Sequence, residues 1–133
     1  MKITNPNIQS LKQNQIFVFG SNLSGLHGGG AAWLAKEKFG AIWGQGVGLQ
    51  GQCYGIPTKS KNIERTLTIE EIKPYVDVFI DFALKNQHQE FLVTEIGCGL
   101  AGHKIEDIAP LFKETLLMNN ISLPEKFIIY LNK

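Results

Sequence analysis

Short apolar runs alternate along this chain with longer segments whose apolar residues recur at helical spacing. Residues 15–19 (QIFVF) form the first run, which ends at Gly20. Residues 53–57 (CYGIP), 91–96 (FLVTEI) and 126–131 (KFIIYL) have the same character. Runs of this length, bounded by glycine, proline or polar residues, are typical of buried strands. The pattern therefore predicts four strands.

Three segments between these runs predict amphipathic helices. The first ends at Gly40, a residue suited to the left-handed conformation that closes a helix. The second covers residues 68–87 and begins with a capping box of Thr68 and Glu71, while Pro74 predicts a kink or a separate first turn. The apolar faces comprise Ala31, Leu34, Ala35 and Phe39 in the first helix, Ile72, Val76, Phe79, Ile80 and Ala83 in the second, and Ile105, Ile108, Ala109, Phe112 and Leu116 in the third.

Strands that alternate with helices indicate an α/β fold, with three α/β/α layers around a mostly parallel or mixed sheet. The 133 residues suit one domain spanning residues 1–133. Residues 44–51 (GQGVGLQG) hold too many glycines for regular structure and are predicted to be loop. Right-handed crossovers bring residues 20–30 and 97–104 to the same edge of the sheet, where ligands of such folds bind.

Charge and cysteine content narrow the range of partners. Thirteen Lys and Arg residues against twelve Asp and Glu give a net charge of +1, so nucleic acid is not expected as the main partner. The start of the chain lacks a signal peptide and no stretch is apolar enough for a membrane span, so a cytoplasmic protein without a membrane partner is expected. Cys53 and Cys98 lack the spacing of a zinc site and are expected to be free thiols, with no metal or cofactor required.

The glycine-rich loops carry the candidate chemistry. Gly28-Gly29-Gly30 directly precedes a helix, where backbone N–H groups and the positive helix end can approach a phosphate, although such a run can also be a simple hinge. Residues 97–102 (GCGLAG) match the dinucleotide pattern GxGxxG. That pattern requires an acidic residue about 20 positions further on, and Leu117 stands there. A dinucleotide-binding Rossmann domain is therefore disfavoured, and no P-loop sequence occurs.

The order of these blocks resembles the macrodomain, an α/β/α module that binds ADP-ribose. The resemblance implies that Asn22 meets the distal ribose, that residues 28–30 line the same region, and that residues 97–102 wrap the pyrophosphate. The chain departs from the family in having no acidic residue in 1–21. The resemblance implies a nucleotide-binding module for ADP-ribose or an ADP-ribosylated protein. A hydrolase that removes ADP-ribose and a non-catalytic interaction protein are the alternatives.

Individual residues have competing interpretations. Asn22 can bond a ribose or close its own turn. Catalytic candidates are Asn22, His27 and Glu95, of which Glu95 is expected to be paired with a lysine such as Lys59, exposed, or catalytic. His27 and His103 can serve phosphate binding or acid–base chemistry, or be exposed loop residues, and Cys98 can be a nucleophile or a packed thiol. The predicted ligand-binding set is Gly20, Ser21, Asn22, Gly28, Gly29, Gly30, Lys59, Gly97, Cys98, Gly99, Leu100, Ala101, Gly102 and His103.

Overall fold

The computed structural model describes residues 2–133, which form one mixed sheet with helices on its faces. The strands are β1 (Lys2–Ile3), β2 (Gln15–Asn22), β3 (Gly48–Gln50), β4 (Cys53–Lys59), β5 (Glu90–Val93) and β6 (Ile121–Leu123). The helices are α1 (Gly30–Lys38), α2 (Ile69–Leu84), α3 (Ile105–Ile108) and α4 (Glu125–Leu131), with 3₁₀ segments at Lys61–Ile63 and Ala109–Leu117.

The sheet has the order β1-β6-β5-β2-β4-β3. Four of its pairings are parallel, and only β3 runs antiparallel to its neighbour β4. β2 lies between β4 and β5, and all three strands point the same way. Their carboxyl ends consequently meet at one edge of the sheet.

Alternation along β2 sends its side chains to both faces of the sheet. Ile16 and Val18 join the larger core, where they pack with α2, α4 and the second 3₁₀ segment. Phe17 and Phe19 join a smaller core on the other face with residues of α1. Helices therefore cover both faces, which confirms the predicted α/β class. Because both faces are covered, β2 is a nearly continuous apolar run, as expected for a central parallel strand.

The predicted strand at residues 126–131 is wrong, because this segment is the helix α4. A short, continuous apolar run suits a buried strand or a buried helix equally well. Phe127 and Ile128 are buried on the helix, whereas Ile129 is 57% exposed. The neighbouring strand is β6, only three residues long, which pairs with both β5 and β1.

The prediction that residues 44–51 form only loop is also wrong, because Gly48–Gln50 pairs with β4 as the edge strand β3. β4 continues two residues beyond Pro57, its predicted end. The register of β2 against β4 shifts between Ser21 and Asn22, next to Pro57, and such an irregularity tolerates the missing proline donor.

The start of α2 follows the predicted capping box. Thr68 Oγ1 accepts a hydrogen bond from Glu71 N, and a Glu71 carboxylate oxygen accepts one from Thr68 N. The helix then runs from Ile69 to Leu84 with Pro74 in its interior, so no separate first turn forms.

The predicted third helix is divided between the four-residue α3 and the 3₁₀ segment that contains Pro110. Among residues 2–133, no helix is long and apolar enough to cross a membrane.

Glu71 links the cap to the acid stability of the protein. Its carboxylate accepts two 2.7 Å hydrogen bonds from the Arg65 guanidinium. These bonds, together with the backbone bond to Thr68, lower the pKa of Glu71 from 4.5 to about 2. A lowered pKa stabilises the fold above pH 4.5, and this stability is lost as the pH falls toward 2. We expect Glu71→Gln to flatten the acid side of the stability profile in urea unfolding between these pH values. An unchanged slope in the variant would contradict the assignment.

Candidate functional site

A cleft of about 440 Å³ opens at the carboxyl ends of β2, β4 and β5. We call it the glycine cleft, because both predicted glycine loops line it. The predicted residues that it brings together are Gly20, Ser21, Asn22, Gly29, Gly30, Lys59, Glu95, Gly97, Gly99, Leu100 and Ala101. The predicted residues that do not line it are His27, Gly28, Cys98, Gly102 and His103.

The start of α1 forms one wall of the glycine cleft. Gly29 is the N-cap residue, and it supplies no side-chain hydrogen bond to the first turn. The first intrahelical bond runs from Trp33 N to Gly29 O, so the preceding amides of the first turn lack helical acceptors. The first turn contains no acidic residue. This end of the helix therefore keeps its partial positive charge for a ligand.

The loop after β5 forms the opposite wall and offers further donors. It is closed internally by Gly102 N to Gly99 O (3.0 Å) and His103 N to Gly97 O (2.8 Å). Within residues 2–133, the backbone N–H groups of Gly99, Leu100 and Ala101 have no hydrogen-bond partner. Unpaired amides at a cleft wall are available to an anionic ligand.

Two contacts from the segment before α2 fix the position of this second loop. Thr66 Oγ1 donates to Ala101 O over 3.0 Å. His103 Nε2 lies 2.7 Å from Leu67 O, and because a carbonyl oxygen only accepts, this nitrogen carries the hydrogen. His103 therefore anchors the loop from behind instead of facing the cleft.

Leu100 joins the two loops across the cleft. Its Cδ1 lies 3.2 Å from the position that a Cβ on Gly29 would occupy, and 3.5 Å from the corresponding position on Gly30. The glycine run thus leaves room for a side chain from the facing loop. The side chain of Leu100 remains 75% exposed.

Two glycines of the cleft are not required by the fold. Gly99 has no positive φ, and a Cβ added to it would meet nothing within 4 Å. Gly20 also lacks a positive φ, and its added Cβ would be 3.5 Å from Gly97 N, an ordinary contact. At most other positions, a positive φ or a close backbone contact explains the glycine. Both residues line the glycine cleft, and only Gly99 has open space at its Cβ position.

Asn22 stabilises its own turn. Its Nδ2 donates to Leu26 O, and its Oδ1 accepts from Leu26 N, both over 2.9 Å. The side chain is 5% exposed. Of the two interpretations of Asn22, this geometry matches turn closure. The neighbouring Ser21 Oγ donates to Gly46 O and is likewise used within the fold.

His27 is fully buried, so the expectation that it is a loop histidine available to ligand or solvent is wrong. Its Nε2 lies 2.9 Å from Ile42 O and therefore carries the hydrogen. Its Nδ1 has no hydrogen-bond partner among the described residues. The ring packs edge-on against Phe19 and Trp43, with centroid separations of 5.5 and 6.5 Å. His27 is thus a core residue that braces the first loop.

Lys59 and Glu95 are the charged side chains that line the glycine cleft. Lys59 is half-buried and Glu95 is exposed. Neither forms an ion pair within the described chain, so they are not paired with each other. The cleft therefore offers one ammonium group and one carboxylate to a ligand.

Cys98 does not have the character of a nucleophile. Burial, together with the charges of Glu95 and Asp107, raises the pKa of its thiol from 9.0 to about 11. A thiol with this pKa is almost entirely protonated at neutral pH. Cys98 and Cys53 are both free thiols, as predicted. Within residues 2–133, no group of three or more His, Cys, Asp or Glu residues could hold a metal ion.

A second cleft of about 570 Å³ adjoins the first, and we call it the side cleft. The two share Gly30, Ala31, Thr94 and Glu95. The remaining walls of the side cleft are mainly apolar and include Ile3, Ile8, Phe17, Leu34 and Val93, together with the charged residues Glu125 and Lys126. The sequence gives no signal for this cleft, because residues 3–8 lie in a polar lead-in without periodicity. Leu26, Ile63 and Thr94 also line the glycine cleft without having been predicted. Of these three, only Ile63 has a signal in the sequence, as an apolar residue in a polar segment.

No family model, curated protein or solved structure matches this chain. The function is accordingly inferred from the geometry of the two clefts.

Proposed function

We propose that this protein binds ADP-ribose, or a closely related nucleotide with two phosphates, as a divergent macrodomain-like module. The observation that carries the proposal is the convergence of unpaired donors on one cleft. The uncapped start of α1 and the amides of Gly99, Leu100 and Ala101 line opposite walls, with Lys59 beside them. Backbone amides and a helix N-terminus form a favourable seat for phosphate oxygens.

The shape of the site supports an elongated ligand. The glycine cleft and the side cleft are joined through four shared residues. A diphosphate in the glycine cleft would leave the mainly apolar side cleft for a base, since aromatic rings favour apolar walls. This division suits a dinucleotide-like molecule better than a free phosphate.

The state of the candidate catalytic residues supports binding over hydrolysis. His27 is buried away from the cleft, and the Asn22 amide is used within its own turn. Glu95 is the remaining candidate to activate water, and the structure gives it no partner that would orient a proton transfer. We therefore propose a binding module as the function.

Isothermal titration of the whole chain with ADP-ribose, ADP and AMP tests this proposal. We expect ADP-ribose to bind with a Kd on the order of 10 µM. AMP should bind about tenfold more weakly, because it lacks one of two phosphates that accept amide hydrogen bonds. Raising the salt concentration should weaken ADP-ribose binding, because salt screens the attraction between the Lys59 ammonium and the phosphates. Titrations without heat for all three ligands, with thermal melts equally unshifted, would overturn the proposal.

A further inference from the structure

The turn after β4 holds two consecutive residues in the left-handed region. Asn62 has a φ of 58° and Ile63 a φ of 57°. Asparagine tolerates this conformation, but for a β-branched residue it is a genuine outlier. Conformations of this kind persist only where the surrounding structure imposes them, and they concentrate at ligand-binding positions.

Hydrogen bonds on both sides impose this conformation. Ile63 N donates to Ser60 O over 3.0 Å, and Ser60 N donates to Arg65 O over 2.9 Å. Asn62 N donates to Ser24 Oγ over 2.9 Å, which ties the turn to the loop after β2. The turn is therefore anchored to one wall of the glycine cleft.

The result of this anchoring is an exposed aliphatic side chain at the cleft. Ile63 is 42% exposed and lines the glycine cleft together with Leu26 and Leu100. These three side chains come from three different loops, and we call them the aliphatic rim. The core does not require Ile63, which belongs to neither buried cluster.

The order of the strands gives the rim a place along the ligand. The side cleft is lined by residues from β1, β2 and β5 and from the segment after β6. Ile63 follows β4, which lies on the other side of β2. A ligand with its base in the side cleft and its phosphates between the loops would therefore place its far end at the Ile63 side of the rim.

We infer that Ile63 is a specificity-determining residue, which selects ligands that carry an uncharged, apolar-faced group beyond the second phosphate. The inference rests on the proposed function and adds a substrate preference to it. Aliphatic side chains favour the carbon face of a sugar or ring, and they disfavour a bare charged phosphate that must lose water to approach them. ADP-ribose carries such a group, whereas ADP ends at the phosphate.

The experiment compares ADP-ribose with ADP by calorimetry in the wild type, Ile63→Ala and Ile63→Asn. Both variants should bind ADP-ribose about tenfold more weakly and bind ADP within about twofold of the wild type. Ile63→Asn should melt about 3 °C above Ile63→Ala, because asparagine accepts the left-handed backbone more readily. Asn62→Gly is the matched control, since it changes the adjacent left-handed residue outside the cleft, and it should leave both affinities unchanged.

The outcomes separate the two proposals. Wild-type protein that binds both ligands, with variants that retain full ADP-ribose affinity or lose both ligands equally, would overturn the role of Ile63 alone. Equal melting temperatures for the two Ile63 variants would overturn the backbone argument. A wild type that binds neither ligand would overturn the proposed function together with this inference.

Discussion

Gly46→Ala is expected to lower the free energy of unfolding by about 3 kcal/mol, because the added methyl group has no space. Its Cβ would lie 1.9 Å from Asn22 O and 3.3 Å from Gly25 N, both of them backbone atoms. Backbone cannot move aside as a flexible side chain can. Ser21, which donates to Gly46 O, would lose its partner as the two loops separate.

Urea unfolding followed by far-UV circular dichroism measures this effect. Gly28→Ala is the matched control, because its Cβ meets nothing within 4 Å and its φ is not positive. We expect the control to change stability by no more than about 0.5 kcal/mol. Equal stabilities of the two variants would contradict the close packing of Gly46 against the backbone of Asn22 and Gly25.

Gly99→Glu is expected to reduce the affinity for ADP-ribose at least about 100-fold without loss of stability. The position has open space and ordinary backbone geometry, so the side chain costs the fold little. Its carboxylate would stand beside the amides that we assign to the phosphates. Like charges in such a confined site repel strongly, and the side chain also occupies ligand volume.

Two controls separate charge from size in this experiment. Gly99→Gln adds a similar volume without charge and should lose less affinity than Gly99→Glu. Gln13→Glu adds the same charge before β2, at the opposite edge of the sheet, and should bind like the wild type. Calorimetry measures the ADP-ribose affinity of all three variants, and thermal melts measure their stability. Gly99→Glu protein that is folded and binds ADP-ribose normally would rule out this loop as a phosphate seat.

The sequence predicted those elements whose signals are local. β2, α1 and α2 have long patterns or clear caps, and the Thr68–Glu71 box forms as expected. β1, β3 and β6 contain only two or three residues, too few for alternation to be seen. The apolar run in α4 has no periodicity that distinguishes a strand from a helix. The choice between the two depends on knowing that β6 takes the place in the sheet between β5 and β1.

Part of the candidate site could likewise be predicted from the sequence, and part could not. Parallel strands bring both glycine loops to one edge, and this could be predicted from the strand–helix order alone. The burial of His27 could not, because it results from Phe19, Ile42 and Trp43, which come from two separate segments. The conformation of Ile63 could not be predicted either. It depends on Ser24, 39 positions earlier in the chain, because Ser24 Oγ accepts a hydrogen bond from the backbone N–H of Asn62, the residue before Ile63.

The bracing of the first loop has a consequence for the energetics of recognition. Ile42 O accepts a hydrogen bond from His27, Gly44 N donates to Gly25 O, and Gly46 O accepts from Ser21 Oγ. Of these residues only Ser21 lines the glycine cleft. The chain thus loses the conformational entropy of this loop when it folds. An incoming ligand meets donors that are already immobilised, so little of its interaction energy is consumed in ordering them.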